Sequence, residues 1–263
     1  MDQLAADLAH ALADTLGPVT VEGLERLSGG ASRETWRFDA VDAAGTRHEL
    51  VLRRDPPGRP GAPGSMGREA RCIGAAHAAG LPVPELLTHD DGGGRWGSAG
   101  LVVRRVAGET LARRILRDDA YAGARERLTA QCGRFLAGLH ALDPDAVGGL
   151  PTVDPLELCR TNLAAVGEPS PVLELGFRWL DAHRPPAAAG RAIVHGDFRL
   201  GNLIVGADGL RAVLDWELVH AGDPVEDLGW LCVKAWRFGN ALPVGGFGTR
   251  EDLLAAYREA GGA

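Results

Sequence analysis

The stretch IVHGDFRLGNLIVGADGLRAVLDWE, residues 193–217, carries the most informative pattern in this chain. Short apolar runs alternate in it with polar residues, which is typical of short buried strands joined by tight turns. Asp197 follows the first run, Asn202 comes five residues later, and Asp215 follows the last run. A hairpin over 203–214 would bring Asn202 and Asp215 to the same edge, although they lie thirteen positions apart.

The spacing of these polar residues is typical of a site for phosphoryl transfer. Protein kinases place His, Asp and Asn in the order H-x-D-x-x-x-x-N, ahead of a metal-binding Asp. The same order is found here in His195, Asp197, Asn202 and Asp215. The reaction needs a carboxylate for the hydroxyl proton, and oxygen ligands that hold magnesium against the phosphates. The alternative is two ordinary turns beside a hairpin, with acids that only cap and solvate them.

Composition narrows the class of protein and of partner. The 263 residues suffice for one large domain or two lobes, and 45% apolar with 24% charged residues is the globular range. A net charge of −7 argues against nucleic acid or an acidic membrane surface as partner, because both need a basic field. An anionic ligand such as ATP is still allowed, since local dipoles and a metal can reverse the field at one site. We therefore expect a small-molecule partner.

The cysteines and the N-terminal sequence indicate a cytoplasmic protein. No C-x-x-C pair occurs, so we expect reduced, mostly buried thiols rather than a zinc site or disulfides. The first 17 residues lack a basic region and an apolar core, and no segment approaches the roughly 18 consecutive apolar residues of a membrane span. The cysteines are Cys72, Cys132, Cys159 and Cys232.

The N-terminal part of the chain has a β-rich pattern. Its loop 55–64, DPPGRPGAPG, is too rich in Pro and Gly for regular structure. We predict a five-stranded antiparallel sheet with one helix inside it, the helix being capped by Ser65. The predicted elements are a first helix at 3–16, strands at 20–27, 34–41, 47–53, 83–88 and 100–106, and the inner helix at 66–79.

The pattern becomes helical after Gly108. Together the two parts predict an α+β protein with two lobes, 1–106 and 107–263. The predicted C-terminal helices are 109–117, 119–141, 154–183, 225–238 and 250–260, with short strands at 191–194, 203–205 and 211–214.

The motifs HGDFRLGN and VLDWE resemble those of the aminoglycoside-phosphotransferase family, whose pattern is H-G-D-x-x-x-x-N followed by an I/L-D-W/F-E/D block. The resemblance covers essentially the whole chain. It implies a protein-kinase-like fold, with magnesium and ATP as cofactors and the hydroxyl of a small molecule as phosphate acceptor. It also implies that Asp197 is the catalytic base and that Asn202 and Asp215 are magnesium ligands.

The segment GDPVEDLGWL, residues 222–231, also looks like the family. There Asp227 would brace the catalytic loop by hydrogen bonds. His195 is expected to be structural, through a side-chain hydrogen bond, rather than a proton shuttle. Glu217 lies near substrate or metal, or is an exposed acid after a strand; both alternatives stay open.

The resemblance places a phosphate-covering turn at LSGGASRETW, residues 27–36. Its candidate ligands are the N–H groups from Gly29 to Ser32, in particular those of Gly29, Gly30 and Ser32.

The strand that offers a phosphate-binding lysine in kinases has Arg53 here, because the only lysine of the chain is Lys234. Arginine keeps the charge but is longer and planar. Arg54 is the neighbouring alternative, and strand alternation sends one of the two inward. Glu69 in the predicted helix 66–79 would orient Arg53, with a solvated helix face as the alternative.

Residues 103–106, VRRV, are expected to form the linker between the lobes. Backbone groups there, at Arg104 and Val106, would bind adenine.

The chain looks most like a family branch related to the kinase-like domain joined to some acyl-CoA dehydrogenases, which implies a hydroxy acid or related alcohol as acceptor. Members of this branch usually continue past the equivalent of residue 263. An aminoglycoside kinase is more distant, since residues 225–260 contain acids and bases in similar number. The replacement at Arg53 also allows a non-catalytic nucleotide-binding or regulatory module. A protein kinase is disfavoured by the Gly196 loop and the missing A-P-E motif.

Overall fold

The structure, a computed structural model, describes residues 1–27, 33–58, 61–62, 64–92, 94–184 and 190–262. The chain divides into two compact units. The first contains residues 1–128 and 200–217, and the second contains residues 129–199 and 218–263. The predicted hairpin at 203–214 thus belongs to the same unit as the N-terminal sheet. The division into a nucleotide-binding lobe, 1–106, and a catalytic lobe, 107–263, stays a prediction.

The predicted α+β class is confirmed. The helices are α1 (Asp2–Leu16), α2 (Ser65–Ala78), α3 (Ala112–Arg117), α4 (Ala122–His140), α5 (Pro144–Val147), α6 (Pro155–Val166), α7 (Pro171–Ala182), α8 (Val225–Leu231) and α9 (Arg250–Glu259). The strands are β1 (Val19–Arg26), β2 (Glu34–Asp42), β3 (Arg47–Arg54), β4 (Leu86–Asp90), β5 (Gly100–Arg104), β6 (Ala192–Val194), β7 (Leu203–Gly206), β8 (Gly209–Val213) and β9 (His220–Gly222).

The first unit contains the predicted five-stranded antiparallel sheet, in the order β1-β2-β3-β5-β4. β4 begins at Leu86 rather than at residue 83. Pro84 lies just before it and has no N–H to donate to a sheet ladder, which accounts for the later start. The order inserts β5 between β3 and β4, so β3 is a central strand with a partner on each side.

One face of this sheet forms a hydrophobic core with α1. Leu8 and Leu12, one helical turn apart, are fully buried in the same hydrophobic cluster as Leu50 and Leu52 of β3. Burying each leucine is worth roughly 1.5–3 kcal/mol. Because side chains alternate along a strand, Arg53 and its alternate neighbours point to the opposite face, which is therefore left for other contacts.

The predicted cap of the inner helix was wrong. α2 begins at Ser65 itself, and the N-cap is Gly64, with no side-chain cap hydrogen bond. A capping side chain has to stand before the helix, where its backbone is not helical, and Ser65 is already inside. Gly64 has φ 72°, a left-handed conformation that glycine adopts without a steric penalty.

The helical stretch predicted at 154–183 is two helices. α6 ends at Gly167 with φ 74°, and α7 begins with Pro171 at its first position. Glycine after a helix and proline at the start of the next are the usual end and start signals. The stretch predicted at 225–238 is also shorter, because α8 ends at Leu231 and a 3-10 turn follows at Lys234–Arg237.

In the second unit β6 pairs with β9, a strand of three residues that the sequence did not predict. Helices in the described part of the chain are too short or too polar to cross a membrane. All four cysteines are free, and burial raises the pKa of Cys72 and of Cys132 to about 12.

Candidate active site

A cavity of about 510 Å³ lies in the first unit, on the face of the sheet that α1 does not cover. Its sheet wall consists of side chains at alternate positions of the strands, as the pleat requires. These are Thr35, Arg37, Val51, Arg53 and Val103. The volume lies within the usual range for a small-molecule site.

Five of the residues predicted for nucleotide and metal binding line this one cavity. They are Arg53, Arg104, Val106, Asn202 and Asp215. The predicted phosphate-binding turn at Gly29, Gly30 and Ser32 lies outside the described residues. Lining residues such as Thr35 and Thr110 were not predicted. The alternation of β2 could have pointed to Thr35, because it lies opposite Arg53 in the ladder.

The hairpin of β7 and β8 brings the two predicted metal ligands to one edge. Leu203 pairs with Val213, and the N–H of Leu214 donates to the carbonyl of Asn202 at 2.8 Å. Asp215 follows directly, so the predicted juxtaposition is confirmed. Asp215 has φ 66°, an uncommon backbone conformation for a residue other than glycine and one that is enriched at functional sites.

The donors at this edge suit magnesium rather than zinc. An amide and a carboxylate offer the hard oxygen atoms that magnesium prefers, and magnesium usually takes its other ligands from phosphates and water. Within the described ranges, no group of three or more His, Cys, Asp and Glu side chains is arranged to hold a metal. Asn202 and Asp215 therefore fit a magnesium ion that arrives with a nucleotide.

Arg53 forms an ion pair with one of these ligands. Its Nη2 contacts Oδ1 of Asp215 at 2.5 Å. Arg54, the sequence alternative, lies on the other face of the strand, where its Nε donates to Glu34 and its Nη1 to the carbonyl of Trp96. Arg53 is thus the arginine that faces the cavity.

The predicted partner of Arg53 was wrong. Glu69 is fully buried, and its Oε1 contacts Nη1 of Arg33 at 2.5 Å, while Nε of Arg33 bonds Asp55 at 3.2 Å. Arg53 is held by Asp215 instead, although its charge still acts on Glu69.

Burial and opposite charges act against each other at the buried pair of Arg33 and Glu69, and at Glu69 burial has the larger effect. Burial raises the pKa of Glu69, and the charges of Arg33 and Arg53 oppose that rise. Burial alone would lower the pKa of Arg33, but Glu69, Asp55 and Glu217 raise it overall. Reasoning from the sequence missed Arg33, whose one signal was its place at the end of the predicted turn.

The second unit carries the predicted catalytic base. Trp230 donates its indole N–H to Oδ1 of Asp197 at 2.8 Å, and Nε of Arg199 lies 3.0 Å from both carboxylate oxygens. The side chain of Asp197 is 16% exposed, so it is sheltered but reachable. Sequence reasoning missed Trp230 and Arg199. Trp230 could have been found, because it follows Asp227 by three residues in a predicted helix.

Asp227 braces the loop before Asp197, as predicted. Its carboxylate accepts from the N–H of His195 at 2.8 Å and from that of Gly196 at 3.0 Å. His195 is buried, and its Nδ1 accepts from the N–H of Asp197 at 3.2 Å, which confirms the structural role expected for this histidine.

The loop also requires a glycine before Asp197, the predicted catalytic base. Gly196 has φ 82°, and a Cβ atom there would lie 2.6 Å from the carbonyl oxygen of Leu218. The arginine that protein kinases carry at this position would therefore not fit here.

The buried carboxylate of Asp227 also contacts a buried histidine. Its Oδ2 lies 3.3 Å from Nε2 of His140, whose Nδ1 lies 2.9 Å from the hydroxyl of Tyr257. Burial alone would raise the pKa of Asp227, but His140 and the loop around His195 more than offset this, so its pKa is lowered. The loop thus depends on an ionised carboxylate.

Replacing Asp227 with asparagine should lower the free energy of unfolding by about 2–5 kcal/mol at neutral pH. An amide can accept only through its oxygen, so its nitrogen would face one of the donors. Because the folded pKa of Asp227 lies below the unfolded value of about 3.9, its stabilisation is present above that pH and is lost as the pH falls further. The difference between wild type and Asp227→Asn should therefore shrink below about pH 4.

Urea unfolding from pH 3 to pH 7 measures this difference. Glu251→Gln, in the exposed first turn of α9, is the matched control and should change stability by less than about 0.5 kcal/mol. A difference for Asp227→Asn that is small at pH 7, or that grows on acidification, would contradict the bracing role.

The chain resembles known phosphotransferases in sequence and in fold. The model of the APH family, described as the phosphotransferase enzyme family, matches residues 23–262. Acyl-CoA dehydrogenase family member 10 of Mus musculus is 30% identical over 82% of this chain and 20% of its own length. Acyl-CoA dehydrogenase family member 11 of Gallus gallus is 32% identical over 81% of this chain and 28% of its own length. The chain thus spans 20% and 28% of the length of these two curated relatives.

Solved structures show the same fold. A Ralstonia eutropha protein assigned to the aminoglycoside phosphotransferases has a TM-score of 0.72 and 23% identity, covering 98% of this chain and 79% of its own. The macrolide 2'-phosphotransferase MphH of Brachybacterium faecium has a TM-score of 0.63 and 22% identity, and the match covers 100% of this chain and 84% of MphH. The streptomycin–ATP complex of APH(2")-IIa has a TM-score of 0.62 and 18% identity, covering 97% and 82%. From its motifs, its fold and the match over residues 23–262, the chain belongs to the phosphotransferase enzyme family.

Proposed function

We propose that this protein is a kinase that transfers the γ-phosphate of ATP, with magnesium, to a hydroxyl of a small hydroxy acid or related alcohol. The observation that carries the proposal is the shared cavity of Arg53, Asn202 and Asp215 in the first unit. A cation for phosphates and two oxygen ligands for magnesium in one cavity are what a nucleotide site of this family needs.

Each residue has a distinct part in this proposal. Arg53 binds the α- and β-phosphates, and Asn202 and Asp215 hold magnesium, which when bound neutralises charge on the phosphates. Backbone groups at Arg104 and Val106 bind adenine at the other end of the cavity.

Three further predicted nucleotide ligands, Gly29, Gly30 and Ser32, cover the phosphates through their N–H groups. Glu69 acts indirectly in this proposal, through its buried ion pair with Arg33.

Asp197 accepts the proton of the attacking hydroxyl. The hydrogen bonds of Asp227 to the loop backbone hold the loop before Asp197 in place, and the indole N–H of Trp230 contacts the carboxylate that takes the proton.

The proposed class of acceptor rests on the basic side chains around Asp197. Arg199 contacts the catalytic carboxylate, and Lys234 and Arg237 lie on the 3-10 turn that contains Trp236, which stacks on Arg199. Basic side chains at these positions would repel a polycationic aminoglycoside and would pair with the acid group of an alcohol. The resemblance to the domain joined to acyl-CoA dehydrogenases points in the same direction.

The test is ADP release from magnesium-ATP in the presence of three acceptor sets: short hydroxy acids, neutral alcohols of matched length, and aminoglycosides. We expect the hydroxy acids to stimulate release most. Stimulation by aminoglycosides instead would overturn the acceptor class. Magnesium-dependent ATP binding without transfer to any set would favour the non-catalytic nucleotide-binding module, which is the alternative function.

A further inference from the structure

Two contacts made by α8 converge on the catalytic loop. Asp227 holds the backbone N–H groups of His195 and Gly196, the two residues before Asp197. Trp230, three residues further along the same helix, holds the side chain of Asp197. Residues three apart on a helix lie on one face, so α8 presents both groups to the loop together. A single helical turn therefore fixes both the backbone and the carboxylate of the base.

The two donors at Asp197 act differently on its carboxylate. Nε of Arg199 lies 3.0 Å from both oxygens, so this contact does not distinguish one oxygen from the other. The indole N–H of Trp230 bonds Oδ1 at 2.8 Å and makes the two oxygens unequal. The terminal torsion of aspartate has a broad preference, so a directional donor of this kind determines how the carboxylate is turned.

A second tryptophan lies beside the first but makes no such bond. The ring of Trp236 is 5.8 Å from that of Trp230, and Cζ of Arg199 lies 4.7 Å from the ring of Trp236. The indole nitrogen of Trp236 is buried and, among the described residues, has no hydrogen-bond partner. Of these two neighbouring indoles, it is the N–H of Trp230 that engages the carboxylate.

We propose that Trp230 is a positioning residue for phosphoryl transfer, and that its indole N–H holds the carboxylate of Asp197 in the orientation that accepts the hydroxyl proton. This proposal rests on the proposed kinase function. Catalytic groups have to be held within about 10–20° of their productive geometry, and side chains that fix them in this way change the rate without touching substrate.

The variant Trp230→Phe removes the N–H and keeps an aromatic ring. We expect kcat for ADP release with the best hydroxy acid to fall about 10- to 100-fold, with the dissociation constant for magnesium-ATP unchanged. The loss should fall on kcat and not on nucleotide binding, because Trp230 is not among the described residues that line the cavity.

Two further variants separate this role from a general effect of losing a tryptophan. Trp179→Phe, on an exposed part of α7, should leave kcat unchanged. Trp236→Phe loses an N–H that has no partner among the described residues and keeps a ring for Arg199, so its kcat should fall far less than that of Trp230→Phe. Thermal unfolding of all three variants verifies that they are folded.

A second measurement does not depend on turnover. The indole N–H resonance of Trp230, assigned by its disappearance in Trp230→Phe, should move upfield in Asp197→Ala, which removes the acceptor. The resonance of Trp236 should move less. A Trp230 resonance that stays in place would overturn the hydrogen bond and the proposal with it.

The outcomes for the two proposals are distinct. Active wild type with unchanged kcat in Trp230→Phe would overturn the role of Trp230 and leave the kinase function standing. Wild type that releases no ADP with any acceptor would overturn the kinase function, and the catalytic meaning of this contact would fall with it.

Discussion

Replacing Asp197 with asparagine should lower kcat about 10²- to 10⁴-fold, while magnesium-ATP binds as tightly as in wild type. Asparagine has nearly the same shape, and its amide oxygen can still accept the hydrogen bond of Trp230. It cannot take up the proton of the hydroxyl, however, so the loss falls on the chemical step. The nucleotide cavity lies in the first unit and contains none of the changed atoms.

ADP release under saturating substrate and calorimetric titration with magnesium-ATP measure the two quantities separately. Asp181→Asn, on an exposed part of α7, is the matched control and should behave as wild type. Turnover retained in Asp197→Asn would remove Asp197 from the mechanism. Loss of ATP binding in the same variant would instead indicate a folding defect, which the unfolding curve would reveal.

The geometry of the loop before Asp197 and of the hairpin of β7 and β8 was predictable because its determinants are local. Asn202 and Asp215 lie thirteen positions apart, but a hairpin with short strands places them together for geometric reasons. The bracing by Asp227 was predicted from resemblance to the family, and the structure adds the hydrogen bonds that perform it. Position in a motif was sufficient for these residues.

The ion pairs of the first unit were not predictable, because each depends on which side chains meet across the fold. Alternation along β3 left Arg53 and Arg54 equivalent until the register of the sheet assigned their faces. Glu69 lies 36 positions from Arg33, and nothing in the local pattern of either residue links them. A helix that presents a glutamate to a site with several arginines does not determine which arginine it binds.

Some helix ends were also predictable from local sequence signals, and others were not. Gly167 and Pro171 are local signals that separate α6 from α7, and periodicity alone obscured them. The start of α2 is different, because Ser65 has the preferred side chain for a cap and yet lies inside the helix. Cap preference is worth only about 1 kcal/mol, so packing of α2 against the rest of the unit can shift a helix start by one residue.

Replacing Asp215 with alanine should weaken the binding of magnesium-ATP by more than the roughly 10- to 100-fold that is typical for residues around a metal's ligands. Asp215 is paired with Arg53, so under the proposed function metal and arginine would share this carboxylate. The variant loses the metal ligand but also releases Arg53 for the phosphates.

ATP without magnesium should therefore bind Asp215→Ala at least as tightly as it binds wild type, since a carboxylate that repels the phosphates has also gone. Calorimetric titration of both proteins with ATP tests this. With magnesium the variant should bind more weakly than wild type, and with EDTA it should bind at least as tightly. Asp208→Ala, at the exposed tip of the same hairpin, should show the wild-type dependence on magnesium. If Asp215→Ala keeps that dependence, Asp215 does not hold the metal. If it binds ATP more weakly than wild type in EDTA as well, Arg53 depends on Asp215 for its position, and the pair acts as one unit rather than as competitors.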